Sequence, residues 1–203
     1  GITSEGKEKY LEFYQEVVSN TLRMVVEWQR VGFVHGVMNT DNMSILGLTI
    51  DYGPYGWLED FNPDWTPNTT DSQNRRYRFG NQPDIALWNL VQLGNALYPL
   101  IEDVPAMERI LDGYNSQFEA RYNKMMQDKL GLAGNYDPVL HDALQAALKA
   151  SETDMTIFYR NLATVLKTDL AADALEKVSA AFYRPEEIKG GTRENWLQWF
   201  DLY

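Results

Sequence analysis

The fold prediction starts from Val34-His35-Gly36-Val37-Met38-Asn39-Thr40-Asp41-Asn42, which is followed nine residues later by Asp51-Tyr52-Gly53. Between the two motifs lies a short apolar run, residues 43–50, with Gly47 near its centre. This pattern predicts a tight β-hairpin. Antiparallel strands lie about 5 Å apart, so we expect Asn42 and Asp51, one at each end of the hairpin, to return towards each other.

Amide and carboxylate oxygens gathered at one end of a hairpin suit a hard cation such as Mg²⁺, which binds a few protein oxygens together with substrate phosphates. Aspartate and asparagine also favour turns, and Asp-x-Gly is common where a strand ends. From the residues alone, the stretch is therefore either a metal-dependent site for phosphoryl or nucleotidyl transfer or ordinary turn chemistry.

Composition limits the class of protein. The chain has 203 residues, 18 basic against 29 acidic side chains, a net charge of −11 and no cysteine. We expect a single domain over residues 1–203, no nucleic-acid partner because phosphate contacts need a basic face, and no disulfide framework. No apolar run approaches the roughly 20 residues that span a bilayer, and no signal peptide is recognisable. These features predict a soluble, cytoplasmic chain cut from a longer protein.

Helical periodicity dominates the rest of the chain. Apolar residues recur at threes and fours from about Glu5 to Arg30, which predicts a long helix capped by Thr3 or Ser4 and stopped at Gly32. Further helices are predicted over residues 85–97, 106–130, 139–151, 154–167 and 169–182, and a packed helical turn over 196–200. The predicted fold class is mainly α, a helical bundle with one small β-hairpin at its active edge.

Residues 55–83 form a long segment of turn formers without a sustained period. Its aromatic residues indicate an ordered loop, because disordered segments are poor in them. Arg75, Arg76 and Arg78 form a tight cationic cluster within it. They either pair with local carboxylates such as Asp60, Asp64 or Asp71, or contact a phosphate or an acidic substrate, for which the planar guanidinium is well suited.

Four strings carry a resemblance to a known family: HGVMNTDN at 35–42, MSILGLTIDYGPYGWLEDF at 43–61, RYRFGNQPDIALWNL at 76–90 and DMTIFYRNL at 154–162. They resemble the selenoprotein O family, pseudokinase-like protein adenylyltransferases that transfer AMP from ATP to protein hydroxyls. The resemblance implies the large, carboxy-terminal lobe of a protein-kinase-like fold. The small lobe that clamps nucleotide phosphates is expected to lie outside this chain.

The resemblance also implies roles for single residues. Asn42 and Asp51 would hold Mg²⁺ or Mn²⁺ on the phosphates of ATP, and Asp41 would be the catalytic carboxylate. Counting from His35-Gly36, Val37 stands where a kinase-like loop carries its catalytic aspartate, and a valine cannot accept a proton. The adjacent Asp41 is the nearest carboxylate that can accept the proton of a substrate hydroxyl.

The two histidines receive no chemical role. His35 precedes a glycine in the loop and is predicted to support the loop by hydrogen bonding, whereas His141 lies in a helical stretch without companion ligands. Three functions remain open: transfer of AMP to Ser, Thr or Tyr hydroxyls of proteins, a kinase-type phosphotransferase, and a non-catalytic pseudokinase scaffold. The chain alone is expected to be inactive or nearly so.

Overall fold

The computed structural model describes residues 2–134 and 136–203. The chain is mainly helical, as predicted, with 64% helix, 4% strand and one small antiparallel sheet. The α-helices of the described residues are α1 Gly6–Val31, α2 Gln82–Ile101, α3 Val104–Asp112, α4 Tyr114–Lys129, α5 Pro138–Lys149, α6 Met155–Asn161, α7 Ala171–Lys177 and α8 Gly190–Leu202. The sheet pairs strand β1, Phe33–Val34, with strand β2, Gly56–Trp57.

The described chain divides into two compact units. The first contains the residues up to Trp57 together with Pro63–Tyr122, and the second contains Leu58–Asn62 together with Asn123–Tyr203. The single domain over residues 1–203 stays a prediction. All of the residues that the sequence assigns to the candidate site lie in the first unit.

Helix α1 ends where the sequence predicts. Gly32 adopts a left-handed conformation with φ 70°, and its amide donates to the Gln29 and Trp28 carbonyls, the arrangement in which glycine terminates helices. The start differs from the prediction, because Glu5 rather than Thr3 or Ser4 is the N-cap residue. The amides of Thr3 and Ser4 instead donate to the Glu12 carboxylate, at 3.3 and 3.1 Å.

The core of the first unit lies between α1, α2 and α3. One buried cluster joins these helices to the start of α4 and consists of Tyr14, Val17, Val18, Leu22, Leu90, Ile101, Met107 and Tyr114. A second cluster reaches from the carboxy-terminal half of α1 to the loop after β1 and consists of Met24, Val25, Trp28, Phe33, Met38, Ile85 and Ala86. The loop is therefore anchored in the hydrophobic core at Met38, which is fully buried.

The predicted hairpin is wrong in its strands. Residues 43–50 form a turn closed by the single bridge Met43↔Thr49 and by the Gly47 amide, which donates to the Ser44 carbonyl at 3.1 Å. The two-stranded ladder lies outside this turn, at β1 and β2. The apolar run does not pair as strands because Ile45, Leu46 and Leu48 are exposed, and a two-stranded hairpin needs a buried face to be stable.

Helix boundaries differ elsewhere too. Helix α2 continues through Pro99 to Ile101, although proline removes a helical hydrogen bond. The single helix predicted over residues 106–130 is two helices, α3 and α4, interrupted at Gly113. Glycine weakens a helix interior because its backbone loses more conformational freedom on folding than that of any other residue.

The second unit is built around aromatic residues of α6 and α8. The ring centroid of Phe158 lies 5.1 Å from that of Trp196 and 5.6 Å from that of Trp199. All three side chains are fully buried. The Trp196 indole donates to the Ser151 hydroxyl at 3.0 Å. The packed turn predicted over residues 196–200 is thus part of a longer helix, α8, which begins at Gly190.

Candidate active site

The candidate site is a closed loop between the two strands of the small sheet. Phe33 pairs with Trp57 and Val34 pairs with Gly56. Residues 35–55 therefore form a loop whose two ends are held next to each other by the paired strands. Gly36 has φ 82°, and a Cβ atom there would lie 2.5 Å from the Pro54 carbonyl oxygen. The two ends of the loop therefore touch at a position that only glycine permits.

The turn of residues 43–49 packs on α1. Gly47 has φ 66°, and an added Cβ would lie 2.7 Å from the Asn20 carbonyl oxygen of α1. On the other side of the turn, the Trp28 indole donates to the Thr49 hydroxyl at 2.9 Å. The turn is therefore fixed to the helix at two points, and Asn42 precedes it while Asp51 follows it at the same end.

His35 supports the loop, as the sequence predicts. Its ring is fully buried, and Nε2 lies 2.8 Å from the Ile50 carbonyl oxygen. A carbonyl oxygen can only accept a hydrogen bond, so Nε2 must carry the proton. Nδ1 then accepts a hydrogen bond from the Val37 amide at 3.4 Å. Burial lowers the pKa of His35, and the Ile50 carbonyl and the Asp51 charge oppose that shift.

Amide side chains bond the backbone of the loop almost residue by residue. Gln82 donates to the Phe33 carbonyl at 2.9 Å and accepts from the His35 amide at 3.0 Å. The next carbonyls along the loop accept from three asparagines: Gly36 from Asn68, Val37 from Asn42 and Met38 from Asn89, each at 3.0 Å. The loop backbone thus has its hydrogen bonds satisfied by side chains rather than by a sheet.

Asn39 continues this series through its side chain. The Tyr77 hydroxyl donates to Asn39 Oδ1 at 2.5 Å. Tyr77 is itself positioned by Asp71, whose carboxylate accepts from the Arg76 and Tyr77 amides at 2.9 and 2.7 Å. The segment of residues 55–83 is therefore ordered and contacts the loop directly.

The predicted site residues occupy different environments. Asp41 is exposed, in a short 3₁₀-helix, Thr40–Asn42, while Asn42 is half buried. Asn42 donates through Nδ2 to the Val37 carbonyl, so its side-chain oxygen, Oδ1, points away from that bond. Asp51 is exposed and has φ 48°, a left-handed conformation that aspartate tolerates better than most residues.

Among the residues that the structure describes, no group of three or more His, Cys, Asp or Glu side chains can hold a metal ion. A cage made only of such side chains is therefore not present in residues 2–134 and 136–203. Mg²⁺ also binds in a different kind of site, in which it takes one or two protein ligands and completes its shell with phosphate oxygens and water. The predicted pair, Asn42 and Asp51, would supply an amide oxygen and a carboxylate oxygen to a site of that kind.

Val37 has no side-chain chemistry. It is half buried, its amide donates to His35 and its carbonyl accepts from Asn42. The residue therefore contributes only backbone contacts to the loop. These contacts join the histidine that supports the loop to the asparagine proposed from the sequence as a metal ligand.

Two arginines of the cluster contact side chains close to them in the chain. Arg78 forms an ion pair with Asp64 at 3.2 Å, one of the pairings that the sequence left open. The Arg76 guanidinium lies over the Trp88 ring, 4.8 Å from its centroid, where cation–π attraction operates. Arg75 is exposed, with φ 48°.

Sequence reasoning missed the three amides that hold the loop from outside it, Gln82, Asn68 and Asn89. They lie at least 26 residues after Asn42 in the chain. Gln82 and Asn89 belong to the string at 76–90 that carries the family resemblance, but that string gives them no contact with the loop. One signal was available for Asn89, because it is a polar residue among the apolar residues of α2, and a buried polar side chain normally has a hydrogen-bond partner.

His141 has local partners in the second unit. Its Nδ1 lies 2.6 Å from the Tyr136 hydroxyl and its Nε2 lies 2.6 Å from the Gln145 amide. Burial is the main cause that lowers the pKa of His141. His141 is therefore held in place by hydrogen bonds to residues close to it in the chain.

One protein family matches the chain. A family model described as protein adenylyltransferase SelO matches residues 2–203. The chain belongs to the SelO family, as the sequence motifs predict.

Relatives at high identity carry one name. The chain is 56% identical, over all of its length, to the protein nucleotidyltransferase YdiU of Flavobacterium johnsoniae. It is 49% identical over 98% of its length to the protein of the same name from Rhodopirellula baltica, and 52% identical over 92% to that from Aromatoleum aromaticum. The chain spans 39%, 38% and 36% of these relatives, which is well under half of each. No α-helix in the described residues is long and apolar enough to cross a membrane.

Proposed function

We propose that the full-length protein carrying this chain transfers AMP from ATP to hydroxyl side chains of proteins, in a reaction that requires Mg²⁺ or Mn²⁺. Membership of the SelO family and the relatives named protein nucleotidyltransferases support it. The observation that carries the proposal is the closed turn, whose Met43↔Thr49 bridge leaves Asn42 and Asp51 at the same end.

The helices and the loop form, in this proposal, the large lobe of a protein-kinase-like fold. A long helix, a loop opening with His35-Gly36, a closed turn and Asp51-Tyr52-Gly53 follow one another in the order of the catalytic and metal-binding loops of kinases. A small lobe that clamps the nucleotide would come from another part of the full-length protein.

Asn42 and Asp51 would hold the divalent cation. When bound, the cation neutralises charge on the phosphates. Asn42 is held for this role by its bond to the Val37 carbonyl, and the backbone before Asp51 is held by the bond between His35 and Ile50. Such preorganisation is the main contribution that a protein makes to transfer at phosphorus.

Asp41 accepts the proton of the incoming hydroxyl. The substrate oxygen forms a bond to the α-phosphorus of ATP, its proton passes to the Asp41 carboxylate, and the bond to the β-phosphate oxygen breaks to release pyrophosphate. Asp41 is exposed, so a protein substrate can reach it. Val37 cannot take this proton.

The test compares ATP labelled on the α-phosphate with ATP labelled on the γ-phosphate, using the full-length protein and candidate protein substrates. We expect only the α label to reach protein, and Asp51→Asn to reduce transfer about 100-fold or more. Asp112→Asn, at an exposed residue at the end of α3, is the matched control and is expected to leave transfer unchanged.

The alternatives give different results. Transfer of the γ label instead would mean a kinase-type phosphotransferase. Transfer of neither label, together with nucleotide binding that Asn42→Ala does not change, would mean a non-catalytic pseudokinase scaffold.

A further inference from the structure

Arg76 is an exposed arginine that is held in one place by several contacts. Its guanidinium lies over the Trp88 ring, 4.8 Å from the ring centroid. Its amide donates to the Asp71 carboxylate at 2.9 Å, and its carbonyl accepts from the Asn81 side chain at 2.6 Å. Backbone and side chain are both fixed, so a ligand that pairs with this guanidinium loses less conformational entropy than one that pairs with a mobile surface arginine.

The charge of this guanidinium is not used within the chain. Nowhere in the described ranges, residues 2–134 and 136–203, does a carboxylate form an ion pair with Arg76 or with its exposed neighbour Arg75. The third arginine of the cluster, Arg78, is paired with Asp64 at 3.2 Å. A carboxylate from another molecule would therefore compete with no existing ion pair at Arg76.

Arg76 lies near Asp41, the residue proposed to accept the proton of the substrate hydroxyl. The residue after Arg76 is Tyr77, whose hydroxyl donates to the Asn39 side chain at 2.5 Å. Asn39 is exposed and stands two residues before Asp41, which is also exposed. This hydrogen bond joins the arginine segment directly to the candidate active-site loop.

Trp88, the ring beneath the Arg76 guanidinium, gives a second link to the same place. Gln92 lies four residues after Trp88 on α2, and side chains at this spacing are neighbours on a helix. Gln92 and Thr40, the residue before Asp41, line the same cavity between α1, α2 and the turn. Both links therefore place the guanidinium beside the start of the Thr40–Asn42 turn of 3₁₀-helix.

Positive charge is concentrated in this region of an acidic chain. Residues 72–83 contain three arginines and no acidic residue, residues 85–101 contain no charged residue, and Asp84 alone separates the two ranges. The chain as a whole carries a net charge of −11. An acidic segment of another protein is therefore repelled by the chain in general and attracted here, and such complementarity favours one class of partner over others.

We propose that Arg76, with Arg75 beside it, binds an acidic segment of the protein substrate, a few residues from the acceptor hydroxyl. Two N–H groups of a guanidinium match the two oxygens of a carboxylate. The description of this partner as a substrate rests on the proposed function, whereas the binding of an acidic segment does not.

The experiment measures the binding of two fluorescent peptides to the full-length protein by fluorescence anisotropy, without nucleotide. Each peptide has one serine between glycines. One carries glutamate at the second to fourth positions on both sides of the serine, and the other carries glutamine there. We expect the glutamate peptide to bind about three- to tenfold more tightly, the effect of one or two exposed ion pairs.

Two charge reversals test the location. Arg76→Glu should abolish the preference for glutamate and should bind a third peptide, with lysine at the same positions, more tightly than the natural protein does. A variant that failed to fold could not gain this affinity. Arg109→Glu, at an exposed residue of α3, changes the net charge equally and should keep the preference for glutamate.

Three results would overturn the proposal. The natural protein could bind the glutamate and glutamine peptides equally, or the two charge reversals could weaken the preference equally, which would mean a general effect of charge. Arg76→Glu could also weaken the binding of Mg²⁺–ATP and leave the peptide preference intact, which would assign the guanidinium to the nucleotide. The peptide titrations involve no AMP transfer, so their result is independent of whether the full-length protein transfers AMP.

Discussion

The His35 ring donates to the Ile50 carbonyl oxygen at 2.8 Å, so the residue that opens the candidate active-site loop is bonded to the residue just before Asp51. Only a neutral ring can also accept from the Val37 amide through Nδ1. The neutral state of His35 therefore stabilises both the start and the end of the loop.

This relationship predicts a pH dependence of stability. Burial lowers the pKa of His35, so the unfolded chain binds the proton more readily than the folded one. The stabilisation that neutral His35 gives to the folded chain is fully present above its pKa in the unfolded chain, about 6.5. It is lost as the pH falls below that value towards the lower pKa of His35 in the folded chain. Urea unfolding should be measured at about pH 7.5 and at about pH 5.5. The free energy of unfolding should fall less between these two pH values for His35→Gln than for the natural sequence.

The control for this measurement is His141, whose pKa burial also lowers. His141→Gln should leave the His35 contribution in place, so the double variant should show a smaller loss on acidification than either single variant. Equal pH dependence in His35→Gln and the natural sequence would contradict the role assigned to the ring.

Gln82 should contribute strongly to stability. Gln82→Met keeps the shape of the side chain but leaves the buried Phe33 carbonyl and His35 amide without their partner. Each buried group left unpaired costs about 1–3 kcal/mol, so a large fall in the free energy of unfolding is expected. The matched change Gln73→Met, at an exposed residue, should alter it by less than about 0.5 kcal/mol.

Gly36→Ala should destabilise the loop. An alanine at φ 82° is strained, and its Cβ would lie 2.5 Å from the Pro54 carbonyl oxygen. The conformation alone costs about 1–2 kcal/mol. Gly53→Ala is the control, because an added Cβ there meets no atom within 4 Å. Thermal unfolding of both variants measures the difference, and similar melting temperatures would contradict the close approach of the two loop ends.

Kinetic measurements on variants of the full-length protein should distinguish the proposed roles of Asp41 and Asn42. Asp41→Asn removes the proton acceptor and should lower kcat by about 10²–10⁴-fold, with little change in the Mg²⁺ concentration for half-maximal rate. Asn42→Ala should raise that concentration, because it removes a proposed metal ligand. Steady-state kinetics at varied Mg²⁺ checks both, and identical profiles for the two variants would reject separate roles.

Helix α1 and its end at Gly32 were predictable because a strong period and a glycine stop act within a few residues of each other. The break at Gly113 was not, since one glycine is tolerated in many helices and only tertiary packing decides. The long α8 was missed because Gly190 and Gly191 suggest a loop.

The candidate site was predictable in part. The motif residues and the support from His35 follow from the local sequence, but the strands that close the loop do not. Phe33–Val34 and Gly56–Trp57 are two residues each, too short to show an alternating pattern. The bonds from Gln82, Asn68 and Asn89 go to backbone carbonyls, which every residue possesses, so no residue type in the loop indicates them.

The carbonyls of Phe33, Gly36, Val37 and Met38 are all bonded by side chains of the folded chain. The loop therefore reaches its shape during folding and would have little conformational entropy left to lose on binding a nucleotide, as the proposed function requires. Association of ATP with the full-length protein should then show a heat-capacity change set by the contact surface, without the large additional decrease that accompanies the ordering of a flexible loop.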